Sequence, residues 1–170
     1  MPMQLSDTMN FMHQVASRFS FDGQVALSRF DRLADVLLDQ AGQVSVGLEF
    51  GMSIGYASLK GQIVADLQLE CQRCMQPMPL AINNRFKFAF IHDETEIDSI
   101  PGLFEPYLIT GDEQSIINLL EDEILLVLPM VARHEQACSD YMTKQRERVR
   151  AEKQASHPFS ALKALKVAKE

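Results

Sequence analysis

The chain has 170 residues, enough for one domain with a hydrophobic core and a tail, and 46% of its residues are hydrophobic, as in globular proteins. Its net charge of −7 is unevenly distributed: residues 140–170 carry eight Lys or Arg against four Asp or Glu, whereas residues 1–139 carry eight against nineteen. An acidic body disfavours broad electrostatic capture of nucleic acid, so the charge suited to phosphates is concentrated in the tail.

The sequence contains no signal for a membrane or for secretion. No apolar run reaches the ~18 residues typical of a membrane span, and the start MPMQLSDTMNFMHQ lacks a basic region followed by an apolar core. The three cysteines, an odd number, argue against a disulfide framework and fit a reducing compartment. We therefore expect a cytoplasmic protein without a membrane partner.

The first forty residues predict one short strand and one helix. Residues 1–14 have no periodic pattern and are expected to form a loose lead-in, and RFSFDG then alternates as a short strand that ends at Gly23. Ser28 with Asp31 three residues later resembles a capping box, and apolar residues follow at helical spacing over residues 28–40. The pattern predicts an amphipathic helix that closes at Ala41-Gly42.

Strict alternation of apolar and polar residues predicts strands at 44–52, 59–71 and 80–91. Their connections are short, which favours an antiparallel meander over βαβ units. Pro77 and Pro79 are expected to bound the third of these strands, and FEPYLI, interrupted by Pro106, is expected to lie at an edge of the sheet.

A second helix is predicted over residues 115–128, capped by Asp112 or Ser115 and stopped by Pro129. It contains three consecutive acids, which cannot share one face because successive helical positions lie ~100° apart, so at least one should lie near the sheet. That acid is either satisfied by an Arg or backbone groups, part of a docking surface for a basic partner, or part of a general acid–base pair. The acids are Glu121, Asp122 and Glu123.

The segment LQLECQRCMQPMPLAINNRFKFAFI carries a Cys-x-x-Cys pair in the turn between two predicted strands. The pair has three interpretations: two small packed side chains, half of a zinc site, or a redox dithiol. A complete zinc site needs two more ligands, and His134 with Cys138 supplies them as His-x3-Cys after a gap of about sixty residues. The metal candidates are thus Cys71, Cys74, His134 and Cys138, for one zinc or no cofactor at all.

Three further features are candidates for contact with a partner. Arg73 lies between the two thiols, where it can meet a phosphate, a partner carboxylate or, locally, Glu70. In KQRERVRAEKQ the basic residues alternate with acids without an apolar stripe, which indicates a solvated or disordered segment or an RNA contact. Near the end, Phe159 begins an apolar series in a short amphipathic helix. The basic candidates are Arg146, Arg148 and Arg150.

Four motifs in order, LECQRCMQPM, FEPYLI, LLEDEILLVLP and HPFSALKALK, resemble the YceD family of large ribosomal RNA subunit accumulation proteins, and the resemblance covers most of residues 15–170. It implies a bacterial or plastid cytoplasmic protein with a non-catalytic role in the synthesis, processing or stability of large-subunit ribosomal RNA. Some members have a second cysteine-rich cluster after the long helix. Here that region, LPMVARHEQACSDY, has one cysteine, so the resemblance alone does not assign a metal site to this chain.

Together these observations predict an α+β fold: an antiparallel meander packed with two main helices in a domain of residues 1–139, followed by a charged, partly flexible tail, 140–170, ending in a short helix. No phosphate-binding loop, dinucleotide fingerprint or Ser-His-Asp order is present, so neither an enzyme nor a small-molecule substrate is expected. The expected partners are large-subunit ribosomal RNA, its precursor, or a ribosomal or assembly protein. The alternatives are a zinc-binding protein-interaction module and a thiol-dependent enzyme.

Overall fold

The computed structural model describes residues 4–139 and 141–155. A five-stranded sheet forms its centre, with its strands in chain order, and a two-stranded ribbon, three α-helices and three short 3-10 helices complete the described part. The sheet strands are β2 (Ser20–Ala26), β3 (Gln43–Ser53), β4 (Tyr56–Glu70), β5 (Pro77–Ile91) and β6 (Glu105–Leu108). The ribbon pairs β1 (Thr8–Met9) with β7 (Gln114–Ser115), and the helices are α1 (Phe11–Ser17), α2 (Ile116–Val127) and α3 (Tyr141–Ala155).

Strands β2 to β5 pair with one another in antiparallel fashion, which confirms the predicted α+β class and the pairing of residues 59–71 with 80–91. One strand departs from the meander: β6 runs parallel to β5, with Phe88 opposite Glu105. The edge position of β6 is as predicted and accommodates Pro106. Pro77 and Pro79 lie inside β5 rather than before it, in the part that has β4 as its only sheet neighbour.

The sheet buries one face and leaves the other open. Along β3, Val44 to Phe50 alternate between buried and exposed or half-buried, as period-2 side-chain orientation requires. On the buried face the ring of Phe86 lies over Gly61, where an added Cβ would come within 1.9 Å of the ring. Helices α1 and α2 contribute fully buried side chains to the same core, among them Phe11, Leu120 and Ile124.

The predicted amphipathic helix over residues 28–40 is absent. Its place is taken by two 3-10 turns, Leu27–Arg29 and Arg32–Asp35, and by an isolated bridge between Leu37 and Leu69. The prediction was wrong because distant groups take the backbone donors that an α-helix would use: the N–H of Leu33 donates to Glu121 and that of Leu38 to the carbonyl of Gln68. The apolar spacing seen in the sequence also fits the three residues per turn of a 3-10 helix.

The N-terminal region is more ordered than predicted. The side chain of Asn10 accepts from the N–H of His13 and caps α1, which buries Phe11 and Val15. The ring of Phe11 lies 5.5 Å from that of Phe50 between their centroids. The strand that follows extends beyond Gly23 to Ala26.

Helix α2 agrees with the sequence prediction, with Ser115 as its N-cap, and α3 is the helical alternative for the charged segment. Arg146, Arg148 and Arg150 are all exposed on α3. The predicted terminal helix, including Phe159, lies outside the described residues. No helix in residues 4–139 or 141–155 is long and apolar enough to cross a membrane.

Candidate metal centre

The turn between β4 and β5 directs both thiols of the Cys-x-x-Cys pair to one side. Cys71 follows the last residue of β4; its carbonyl accepts from the N–H of Met75 at 2.8 Å, and its N–H donates to the carbonyl of Gln76 at 3.0 Å. Met75 adopts the left-handed conformation, with φ of 57°, which lets so short a turn close. The result is a tight loop that places Cys74 beside Cys71.

The segment after α2 returns the chain to this loop. The α-helical conformation ends before Pro129, and the N–H of Gln72 donates to the carbonyl of Ala132 at 2.8 Å. Ala132 is buried, so the bond is anchored in the core. His134, two residues later, and then Cys138 lie opposite the two thiols. Residues that are about sixty positions apart in the sequence are therefore close together in the fold.

The three sulfurs and one imidazole nitrogen lie within 4.8 Å of one another, the one such cluster of potential ligands in the described part of the chain. Cys71 Sγ is 3.7 Å from Cys138 Sγ, and Cys74 Sγ is 3.5 Å from His134 Nδ1. A tetrahedral zinc with Zn–S of about 2.3 Å separates two sulfurs by about 3.8 Å, and a sulfur from a nitrogen by about 3.6 Å. The donor set and its spacing therefore fit one tetrahedral zinc ion, and the cysteines are free thiols.

The groups around the cluster hold the ligands in place. His134 Nε2 lies 3.1 Å from the carbonyl oxygen of Pro77, and donation to that oxygen leaves Nδ1 unprotonated toward the thiols. Arg73 Nε donates to Cys138 Sγ at 3.0 Å, and its terminal nitrogen donates to the carbonyls of His134 and Gln136. These donors are directed at Cys138 and the backbone around it.

The local electrostatics favour thiolate at two of the three sulfurs. Burial opposes ionisation of Cys71, but backbone N–H groups, that of His134 first, outweigh it and lower the pKa of this thiol to about 5. Burial also opposes ionisation of Cys138, yet the guanidinium of Arg73 contributes to a net lowering of its pKa. For Cys74, burial raises the pKa. Because zinc binds thiolates, a cluster that already favours ionised sulfur is suited to a metal.

The three acids of α2 lie apart from this cluster and divide by burial. Glu121 is buried, and its carboxylate accepts from the backbone N–H of Arg32 at 2.7 Å, from that of Leu33 and from the Arg32 side chain. Glu123 is buried too and accepts from Asn84 at 2.8 Å. Only Asp122 is exposed, and it pairs with Arg32 at 2.7 Å. Two of the three carboxylates are thus satisfied inside the fold rather than offered to a partner.

The sequence predicted the four candidate ligands, which the structure brings together, but not the groups that support them. The carbonyl of Pro77 has no side-chain signal in a sequence, because every residue carries the same backbone group. The Arg32 and Asn84 partners of the buried acids are equally invisible, since each lies about forty or more residues away along the chain. The charge of Arg73 between two cysteines was the one available hint of a supporting role.

Comparison with known proteins identifies the family. A sequence model described as "Large ribosomal RNA subunit accumulation protein YceD" matches residues 59–166, more than half of the chain. A relative from Haemophilus influenzae with the same description is 27% identical over 134 residues, covering 78% of this chain and 77% of the relative. No solved structure matches. The matched region contains all four candidate metal ligands, and the chain belongs to the YceD family.

Proposed function

We propose that this protein supports the accumulation of large-subunit ribosomal RNA by binding the RNA, its precursor or an assembly protein, and that it catalyses no reaction. The description carried by the family and by the Haemophilus influenzae relative supports the process. The observation that supports a structural, non-catalytic role is the cluster of Cys71, Cys74, His134 and Cys138. Four protein ligands fill the positions of a tetrahedral ion, as in structural rather than catalytic zinc sites.

In this proposal the zinc is a structural support. It ties the loop between β4 and β5 to the segment that follows α2, two regions otherwise connected by few backbone bonds such as that from Gln72 to Ala132. Residues 4–139 then act as one folded body, and α3 follows it in the chain. The exposed Arg146, Arg148 and Arg150 are the tail's proposed RNA contacts.

A second candidate is a zinc-supported protein-interaction module, favoured by apolar surface next to the cluster. Met130 is 98% exposed and Leu126 is 74% exposed. Both lie at the C-terminal end of α2, just before the segment that carries His134 and Cys138, which we call the ligand segment. Val131 lines an adjacent groove of about 730 Å³ together with Met78 and Leu80. A ribosomal protein or assembly factor could cover this surface, with Asp122 as a further exposed contact.

The decisive experiment is complementation of a deletion strain. We expect the strain to have a lowered ratio of large-subunit to small-subunit ribosomal RNA, restored by the natural chain and by the control His92→Ala. Cys74→Ser should restore it poorly and should lose zinc when purified. A normal ratio in the deletion strain would overturn the proposed function, and a protein without zinc but with a reactive Cys71–Cys74 pair would favour the thiol-dependent enzyme.

A further inference from the structure

The outward face of the sheet is open to solvent. Across β2 to β5 the register aligns two neighbouring rows of side chains on this face. No described helix covers them, and most of their members are exposed. The first row is Ser20, Glu49, Lys60 and Lys87, and the second is Asp22, Gly47, Gln62 and Arg85.

Three cations meet in these two rows. Lys60 lies directly opposite Lys87, and Arg85 occupies the next outward position of β5. All three are exposed, and none has an ion pair or side-chain hydrogen bond within the described part of the chain. We call Lys60, Arg85 and Lys87 the basic patch.

The fold itself gives no reason for this arrangement. Like charges directly opposite each other on antiparallel strands destabilise a sheet, and Glu49, opposite Lys60 on the neighbouring strand, offsets only part of this cost for the Lys60–Lys87 pair. Of the five other cations in residues 1–139, Arg29 and Arg32 form ion pairs and Arg73 supports the ligand cluster. The remaining two, Arg18 and Arg133, are single exposed charges, whereas the three cations of the patch lie side by side. The basic patch thus combines a local cost with unused donors, the combination expected of a binding surface.

The acids nearby do not remove the positive field of the patch. Glu49 is opposite Lys60, and Asp22 lies in the second row, so two acids face three cations. Asp66 is six residues along β4 from Lys60, about 20 Å away at strand geometry. That exceeds the Debye length of ~8 Å at physiological salt, so its charge is largely screened at the patch. A polyanion would therefore be attracted here while the rest of the body repels it.

We infer that the basic patch binds the phosphate backbone of ribosomal RNA, an inference that rests on the proposed function. Lys87 and Arg85 are spaced about 6.8 Å along their strand, comparable to neighbouring phosphates of a nucleic-acid strand. A shallow groove of about 460 Å³ crosses the rows over Gly47, which has no side chain to obstruct a strand. Neither row carries an aromatic side chain, so the contact is with phosphates and tolerates any base sequence.

The test is a salt titration of single-stranded RNA binding with matched charge variants. Each phosphate contact contributes about −0.7 to the slope of log affinity against log salt. The triple variant Lys60→Gln, Arg85→Gln, Lys87→Gln should flatten the slope by about 2. When the salt is raised from about 50 to about 200 mM, the fold-loss of RNA affinity should then be about 20 times smaller for this variant than for the natural chain. The control Arg133→Gln removes an exposed charge that lies in neither the basic patch nor α3, and it should leave the slope unchanged.

An opposite change distinguishes binding from a structural role. Glu49→Gln removes an acid from the patch and should tighten RNA binding, whereas the triple patch variant should weaken it without lowering the melting temperature. No RNA binding by the natural chain, or an unchanged slope in the patch variant, would overturn the inference.

Complementation of the deletion strain distinguishes failure of this inference from failure of the proposed function. If the patch variant restores the ribosomal RNA ratio as well as the natural chain does, the patch is not the contact, although the proposed function stands. If the patch variant keeps RNA binding but loses an acidic protein recovered by the natural chain, the surface serves a protein and the inference also fails.

Discussion

His134 Nε2 lies 3.1 Å from the carbonyl oxygen of Pro77, the first residue of β5, and this contact orients the ring so that Nδ1 approaches Cys74 Sγ at 3.5 Å. A backbone group of the hairpin therefore sets the ring orientation of a candidate ligand that lies 57 residues away along the chain.

The first prediction concerns the metal ligand. His134→Ala should weaken zinc affinity by more than about 100-fold, because it removes one of four ligands, whereas loss of a supporting partner alone costs about 10–100-fold. Chelation should also lower the melting temperature of the natural chain, since metal binding energy contributes to folding. Competition with a chromophoric chelator measures the affinity. His92→Ala, at an exposed loop residue, is the control, and equal affinities for the two variants would contradict the assigned site.

The second prediction concerns the supporting guanidinium. Arg73→Ala should reduce zinc affinity by about 10–100-fold while leaving all four ligands in the chain, because Arg73 bonds Cys138 Sγ and two carbonyls of the ligand segment. Arg73→Lys should not restore the affinity, since an ammonium group lacks the planar fork that reaches these acceptors together. The control is Arg133→Ala, which removes an exposed arginine next to His134. An equal loss of zinc affinity in this control would indicate a general effect of charge.

The third prediction compares adjacent acids that share one arginine. Glu121→Ala should lower the free energy of unfolding by about 3 kcal/mol, because it leaves the buried N–H of Leu33 without an acceptor and removes the ion pair with Arg32. Asp122→Ala should cost less than about 1 kcal/mol, because that pair is exposed to solvent. Urea denaturation of both variants measures the difference. Similar losses would mean that Glu121 acts through surface charge and not through the buried backbone.

The fourth prediction is a pH dependence at Glu123. Burial raises the pKa of this carboxyl, and the hydrogen bond from Asn84 only partly opposes the effect. A carboxyl whose folded-state pKa exceeds its unfolded value destabilises the fold when ionised, at pH above the folded pKa, and the cost disappears as pH falls through that pKa. Glu123→Gln keeps an acceptor for Asn84 without the charge.

This variant should therefore melt roughly a few degrees higher than the natural chain at pH 7, and the difference should shrink as the pH is lowered through the folded-state pKa toward the carboxyl's ordinary value of 4.5. Thermal melts of both proteins over this range provide the measurement. A variant that is less stable at pH 7, or a difference that grows on acidification, would show that Glu123 is stabilised as a carboxylate.

Local periodicity was sufficient wherever one segment's own pattern decides its structure. Alternation located β3, β4 and β5, and an apolar face with Ser115 before it located α2, because the period of side-chain burial belongs to the strand or helix itself. The family resemblance was likewise carried by short motifs, and the family match confirms it. The types of the four candidate ligands were also visible in the sequence.

Local pattern failed where a distant group changed the outcome. Residues 28–40 have helical spacing, yet the carboxylate of Glu121, almost ninety residues away, accepts the N–H groups of Arg32 and Leu33, and 3-10 turns form instead. The edge position of β6 was predicted, but its parallel direction was not, because that direction depends on how the connection after Ile91 crosses the sheet edge, which no periodicity encodes.

The sequence by itself determined the class of fold, the main strands, helix α2 and the residue types able to hold a metal. Only the tertiary structure decided that Cys71 and Cys74 meet His134 and Cys138, and that Lys60 faces Lys87 across two strands. The physical reason is that side-chain periodicity depends on neighbours along the chain. A binding site depends instead on the register between strands and on where distant segments pack against each other. Those are set by the packing of the whole core.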